Sequence, residues 1–111
     1  MRFLLDTHGF VWINNKPTML SQTATTIIQD KQNTILLSYA SIWEMQIKIQ
    51  LGKLEFSSVL KQKIERQQEK NGLKLLRIEL SHIFALDGLA HHHRDPFDRM
   101  LIAQAMTEKL R

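Results

Sequence analysis

The stretch Thr34-Ile-Leu-Leu-Ser38, running into Tyr39-Ala-Ser-Ile-Trp-Glu-Met-Gln-Ile-Lys-Ile-Gln-Leu51-Gly52, decides the fold. Its first part is short, rich in Ile and Leu, and reads as a buried strand. Ser38 and Ser41 then offer N-caps for a helix to about Leu51, and Gly52 stops that helix as a C′ glycine does. The same alternation continues outward in both directions. Arg2 to Leu5 is an apolar run closed by Asp6-Thr7, and Leu73 to Ile78 is a third strand. Ser21 can cap a helix through Asp30 that places Leu20, Ala24, Ile27 and Ile28 on one side. Ser57 and Ser58 open a long polar helix through Lys70, stopped at Asn71-Gly72. Ser81 caps a short helix ending near Asp87-Gly88. Asp95-Pro96 starts a last helix that reaches the C-terminus, with Asp95 at the N-cap and Pro96 at the first helical position. Strands alternating with helices predict an α/β domain with a mainly parallel sheet.

The 111 residues are 43% apolar and 23% charged, which suits one globular domain over residues 1–111. No cysteine is present, so disulfides, thiol nucleophiles, Cys-based zinc sites and iron–sulfur clusters are excluded. The apolar runs are too short and too broken by charge to span a membrane, and Asp6 interrupts any signal-peptide core. A soluble cytoplasmic chain is the expectation. The formal charge is +4, and the excess lies between Met45 and Leu80, where eight basic residues face four acidic ones. That distribution suits a polyanion such as RNA, or else a solvated helix face on which Glu65 and Glu69 alternate with lysines. Gly9, Gly52, Gly72 and Gly88 stand too far apart for a dinucleotide or phosphate loop.

Carboxylates at element ends carry the chemistry. Asp6 sits where the first strand ends, and in open parallel sheets ligand sites gather beyond the carboxyl ends of strands. Its plainer role is an N-cap. Glu44 lies early in the helix after the second strand, at the same end of the sheet, so the two acids can converge. Its plainer role is a first-turn glutamate favoured by the helix dipole. In Arg94-Asp-Pro-Phe-Asp-Arg99 two aspartates and two arginines crowd a helix start, which suits a metal and a phosphate as well as a capping arrangement. His91-His92-His93 cannot all face one metal, and no second ligand set accompanies them beyond His8 and His82. At most one of the triplet, beside Arg94, helps to bind an anionic substrate. Several carboxylates without cysteine or a histidine scaffold favour a hard cation, Mg2+ or Mn2+. Such a cation relieves carboxylate repulsion, acidifies a bound water and stabilises charge on a phosphodiester, which is the chemistry of a nuclease.

Four blocks, Phe3-Leu-Leu-Asp-Thr-His8, Ser38-x-x-Ser41-x-Trp-Glu44-x-x-x-Lys48, Leu51-Gly-Lys-Leu54 and His93-Arg-Asp-Pro-Phe-Asp-Arg-Met-Leu-Ile-Ala-Gln-Ala105, resemble a PIN-domain protein of the VapC-like toxin type, in the right order over nearly the whole chain. The resemblance implies a three-layer PIN-like α/β fold and a metal-dependent endoribonuclease. It also implies a cognate antitoxin that inserts into the active-site groove, and a homodimer. Carried over residue by residue, Asp6, Glu44 and Asp98 match the catalytic and metal-binding acids. Asp95 is an extra acid of this variant, a partner near the metal or only a cap. Lys48, Arg94, Arg99 and His93 are expected phosphate contacts.

The family pattern continues after this block with a strand, a Thr-x-Asp-type turn holding a fourth acid, and a final strand. Here the sequence ends at Arg111, so a C-terminally truncated form is expected, with the first strand left as a bare edge. Glu108 stands ten residues beyond Asp98, about 15 Å along the same helix, too far to be the fourth acid. The main functional expectation is a metal-dependent RNase toxin. The alternatives are a catalytically weak remnant that binds an antitoxin or its own kind, and a non-catalytic nucleic-acid binder that uses the basic middle third.

Overall fold

The computed structural model describes residues 1–90 and 94–111. Its elements run in the order β1 (Arg2–Leu5), α1 (Thr7–Asn15), a 3-10 turn (Pro17–Met19), α2 (Gln22–Gln29), β2 (Thr34–Ser38), α3 (Tyr39–Gln50), α4 (Leu60–Asn71), β3 (Lys74–Leu76), α5 (Leu80–Ala85), a second 3-10 turn (Leu86–Gly88) and α6 (Pro96–Thr107). The chain is a mixed α/β protein with a three-stranded parallel sheet flanked by six helices among the described residues, as a PIN-like fold requires.

β2 is the centre of the sheet. It pairs with β1 on one side (Phe3 against Ile35) and with β3 on the other (Leu37 against Leu75). Residues 35–38 are all buried, as expected of a strand covered on both faces. Ile35 and Leu37 point into a core completed by Phe10 of α1, Met45 of α3, and Leu60 and Ile64 of α4. On α4 the buried residues are Leu60, Lys63, Ile64 and Gln67, one stripe at helical spacing. Lys61, Glu65, Arg66, Glu69 and Lys70 face solvent. The charge-rich middle of the chain is therefore, in this helix, a solvated face of mixed sign.

Local capping chemistry shapes most helix ends. Ser21 accepts from the Ala24 amide (3.0 Å), and Asp95 from the Phe97 amide (2.9 Å). α3 closes with the Gly52 amide on the Ile49 carbonyl and the Lys53 amide on that of Lys48, a Schellman arrangement with Gly52 at φ +73°.

Several expectations need correction, among them the third strand, which covers Lys74–Leu76 and not Leu73 to Ile78. Residues 7–15 form a helix that no periodicity announced. The long polar helix begins at Leu60, after an N-cap, Val59, that has no side-chain bond; Ser57 instead accepts from the buried Lys63 ammonium (2.7 Å). α5 is capped by Glu79, not Ser81. The Glu79 amide donates to His82 Nδ1 (2.9 Å), so the proton of the fully buried ring sits on Nε2 and points at Glu108 Oε2 (2.8 Å). This clamps α5 to the end of α6. Lastly, α6 stops at Thr107. Lys109 adopts φ +56° and the Leu110 amide returns to the Ala105 carbonyl. Arg111 then lies beside β1, its amide donating to the Arg2 carbonyl (3.2 Å) while the Leu4 amide donates to its own (2.9 Å). The outer edge of β1 is thus paired at Arg111 and not bare. Among the described residues, no helix is long and apolar enough to cross a membrane.

Candidate active site

β1 and β2 are parallel and each is followed at once by a helix, so Asp6 and Ser38 leave the sheet at the same end. Asp6 is the N-cap of α1, and its Oδ1 accepts from the Gly9 amide (2.7 Å). A side chain at position 9 would crowd this cap. A Cβ at position 9 would stand 2.8 Å from that Oδ1 and 2.7 Å from Leu5 Cδ1. Capping and a functional carboxylate are compatible, because Asp6 remains exposed and its second oxygen is free of the cap.

Glu44 is buried, one turn into α3, and both its oxygens are engaged. Thr7 Oγ1 stands 2.7 Å from Oε1 and 3.0 Å from Ser41 Oγ. Thr7 has one hydroxyl proton and the carboxylate can only accept. Thr7 therefore donates to Glu44, and Ser41 donates to Thr7. Oε2 meets the Lys48 ammonium at 3.2 Å. This is an i,i+4 pair with the acid toward the helix N-terminus, the favourable orientation. Lys48 supplies the counter-charge that a buried carboxylate needs.

α6 reaches the same region. Phe97 packs edge-to-face on Trp43, ring centroids 5.2 Å apart and planes at 79°. Each ring directly precedes an acid, Glu44 on α3 and Asp98 on α6, so the two helix starts meet. Asp98 lies exposed in the first turn of α6. The adjacent Asp95 is exposed, with one oxygen committed to the cap. The fold thus brings the elements carrying Asp6, Glu44 and Asp98 together. It does not close their carboxylates into one shell: among the described residues no three His, Asp or Glu side chains are grouped so as to hold a metal ion.

The basic residues divide. Lys48 belongs to the Glu44 pair and is also substantially exposed. Arg94 stands exposed beside Asp95. The Arg99 guanidinium donates to the carbonyls of Leu86 (3.3 Å) and Ala90 (3.1 Å), which ties α6 to the second 3-10 turn and to Ala90. His93, with His91 and His92, lies outside the described residues. His82 is a capping residue, and His8 meets Trp12 in a tilted ring contact, centroids 6.0 Å apart.

Sequence reasoning did not find Thr7, Gly9 or Ser41 as positioning residues. Thr7 and Ser41 occur inside the quoted motifs, but a hydroxyl beside a helix start reads first as a cap. Only the juxtaposition of two helices shows that these two hydroxyls serve a buried carboxylate.

A family model described as PIN domain matches residues 3–111. No curated protein and no solved structure matches the chain.

Proposed function

The chain belongs to the PIN-domain family, whose members are in general metal-dependent nucleases, and from that premise we propose that it is an endoribonuclease toxin of a toxin–antitoxin pair, acting with Mg2+ or Mn2+. The observation that carries this reading is the Thr7–Glu44 hydrogen bond. It fastens the residue after Asp6 to the second acid, at the carboxyl end of the sheet, beside the Asp98 helix.

The donor set fits a hard dication. Asp6, Glu44 and Asp98, with Asp95 at the rim, offer oxygens only, and the Lys48 ammonium already occupies a cation's position against Glu44 Oε2. When bound there, the metal supplies a more acidic water and charge stabilisation at the phosphodiester. The protein's own residues do the rest. Thr7 and Ser41 hold the Glu44 carboxylate in one orientation. Gly9 fixes that of Asp6. Asp95 and Pro96 set the start of α6 and so the place of Asp98. Lys48 and Arg94 attract the phosphate backbone, with His93 assigned the same role from its motif. A cognate antitoxin, a homodimer and a cytoplasmic setting belong to the same reading.

The test is cleavage of a structured RNA with Mg2+ or Mn2+ by the wild type and by Asp6→Asn. Cleavage lost in the variant supports the proposal, and equal cleavage by both overturns it. A second reading is favoured by the ungrouped carboxylates: a catalytically weak domain that binds an antitoxin or its own kind. It predicts no metal-dependent cleavage by the wild type.

A further inference from the structure

Trp43 has 61% of its surface exposed, although tryptophan is strongly buried on average. Neither the core nor any cap needs it there. Phe97 braces one side of the indole edge-to-face, which fixes the ring and leaves the rest open to solvent. Tyr39, also exposed, lies four residues earlier on the same face of α3. The next residues in the chain after Trp43 and Phe97 are Glu44 and Asp98.

We infer that Trp43, held by Phe97, is a stacking platform for an unpaired nucleobase of a single-stranded RNA segment, a binding role that rests on the ribonuclease reading above. A base has an uncharged π face that stacks on an indole whatever its identity. Because each ring directly precedes an acid, a phosphate joined to that base would lie near the start of the two acid-bearing helices. A pre-fixed ring loses little conformational freedom on stacking. The chain's net charge of +4 favours a polyanion overall. Stacking from the open side also requires a splayed base, so the platform selects single-stranded over duplex RNA.

The experiment measures binding apart from cleavage. Affinity for a short unstructured oligoribonucleotide, read by anisotropy without added divalent metal, is compared for wild type, Trp43→Ala and Trp43→Phe, with an abasic nucleotide placed in turn at each position. Trp43→Ala is expected to weaken binding about tenfold, with Trp43→Phe retaining most of the affinity. One abasic position should cost the wild type a similar factor and cost Trp43→Ala nothing. In a Trp12→Phe background, where Trp43 is the sole tryptophan, its fluorescence should be quenched by the single strand and not by a duplex. Unchanged affinity in Trp43→Ala overturns the inference. So does an altered oligomeric size with RNA affinity intact, which would make the ring pair a contact between copies of the chain. Cleavage by a wild type whose RNA affinity ignores Trp43 sinks this inference alone. Base-dependent quenching without cleavage under any metal sinks the nuclease reading and leaves the platform standing.

Discussion

The Thr7 hydroxyl lies 2.7 Å from Glu44 Oε1, a bond between residues 37 positions apart that joins the end of β1 to the second turn of α3. Both side chains are buried. Thr7→Val preserves the shape, removes the donor and leaves a carboxylate short of a partner. Urea unfolding should show a loss of about 1–3 kcal/mol, and Thr7→Ser should recover most of it.

Gly9→Ala tests the close approach at Asp6. Alanine inside a helix is ordinarily worth up to about 1 kcal/mol over glycine. Here the new Cβ meets Asp6 Oδ1 and Leu5 Cδ1. Both atoms end rotatable side chains, so their displacement offsets the helix gain and stability in thermal or urea unfolding should change by under about 1 kcal/mol, while RNA cleavage falls because the Asp6 carboxylate is displaced.

His82→Leu removes a fully buried ring that bonds the Glu79 amide and Glu108 and lies 3.4 Å from Gln104 Nε2. The Glu79 amide loses its acceptor and Glu108 its donor, so α5 comes loose from α6. The expected loss is about 2–4 kcal/mol in chemical unfolding.

The two arginines of the Arg94-Asp-Pro-Phe-Asp-Arg99 run should separate. Arg99→Ala abandons two backbone carbonyls and should cost about 1–2 kcal/mol of stability. Arg94→Ala, at an exposed position, should leave stability within about 0.5 kcal/mol. It should weaken RNA binding and flatten its salt dependence.

What could be read from the sequence follows from the range of the interactions involved. The β2 run, the Ser21 and Asp95 caps and the glycine stops at Gly52 and Gly72 depend on chemistry within a few residues, and they stand where they were expected. α1 was hidden because Thr7-His-Gly-Phe-Val-Trp-Ile mixes a glycine with β-branched and aromatic residues, all weak helix formers, so packing of Phe10 into the core decides it. The α5 cap was misassigned because histidine is an unusual capping-box partner while serine is a common cap. The return of Arg111 to β1, and the service of Thr7 and Ser41 to Glu44, join distant positions and leave no local mark. For the candidate site, the resemblance pointed to the acids. It could not supply the lysine and threonine bonds that hold Glu44, nor the role of Arg99 as a backbone clamp.

We propose that Asp6, Glu44 and Asp98 together bind one hard dication. Titration of the wild type with Mn2+, followed by electron paramagnetic resonance, should show one bound ion per chain. Asp6→Asn, Glu44→Gln and Asp98→Asn should each weaken it at least about tenfold, as loss of an anionic ligand does. Equal Mn2+ binding by the wild type and all three variants would contradict the account.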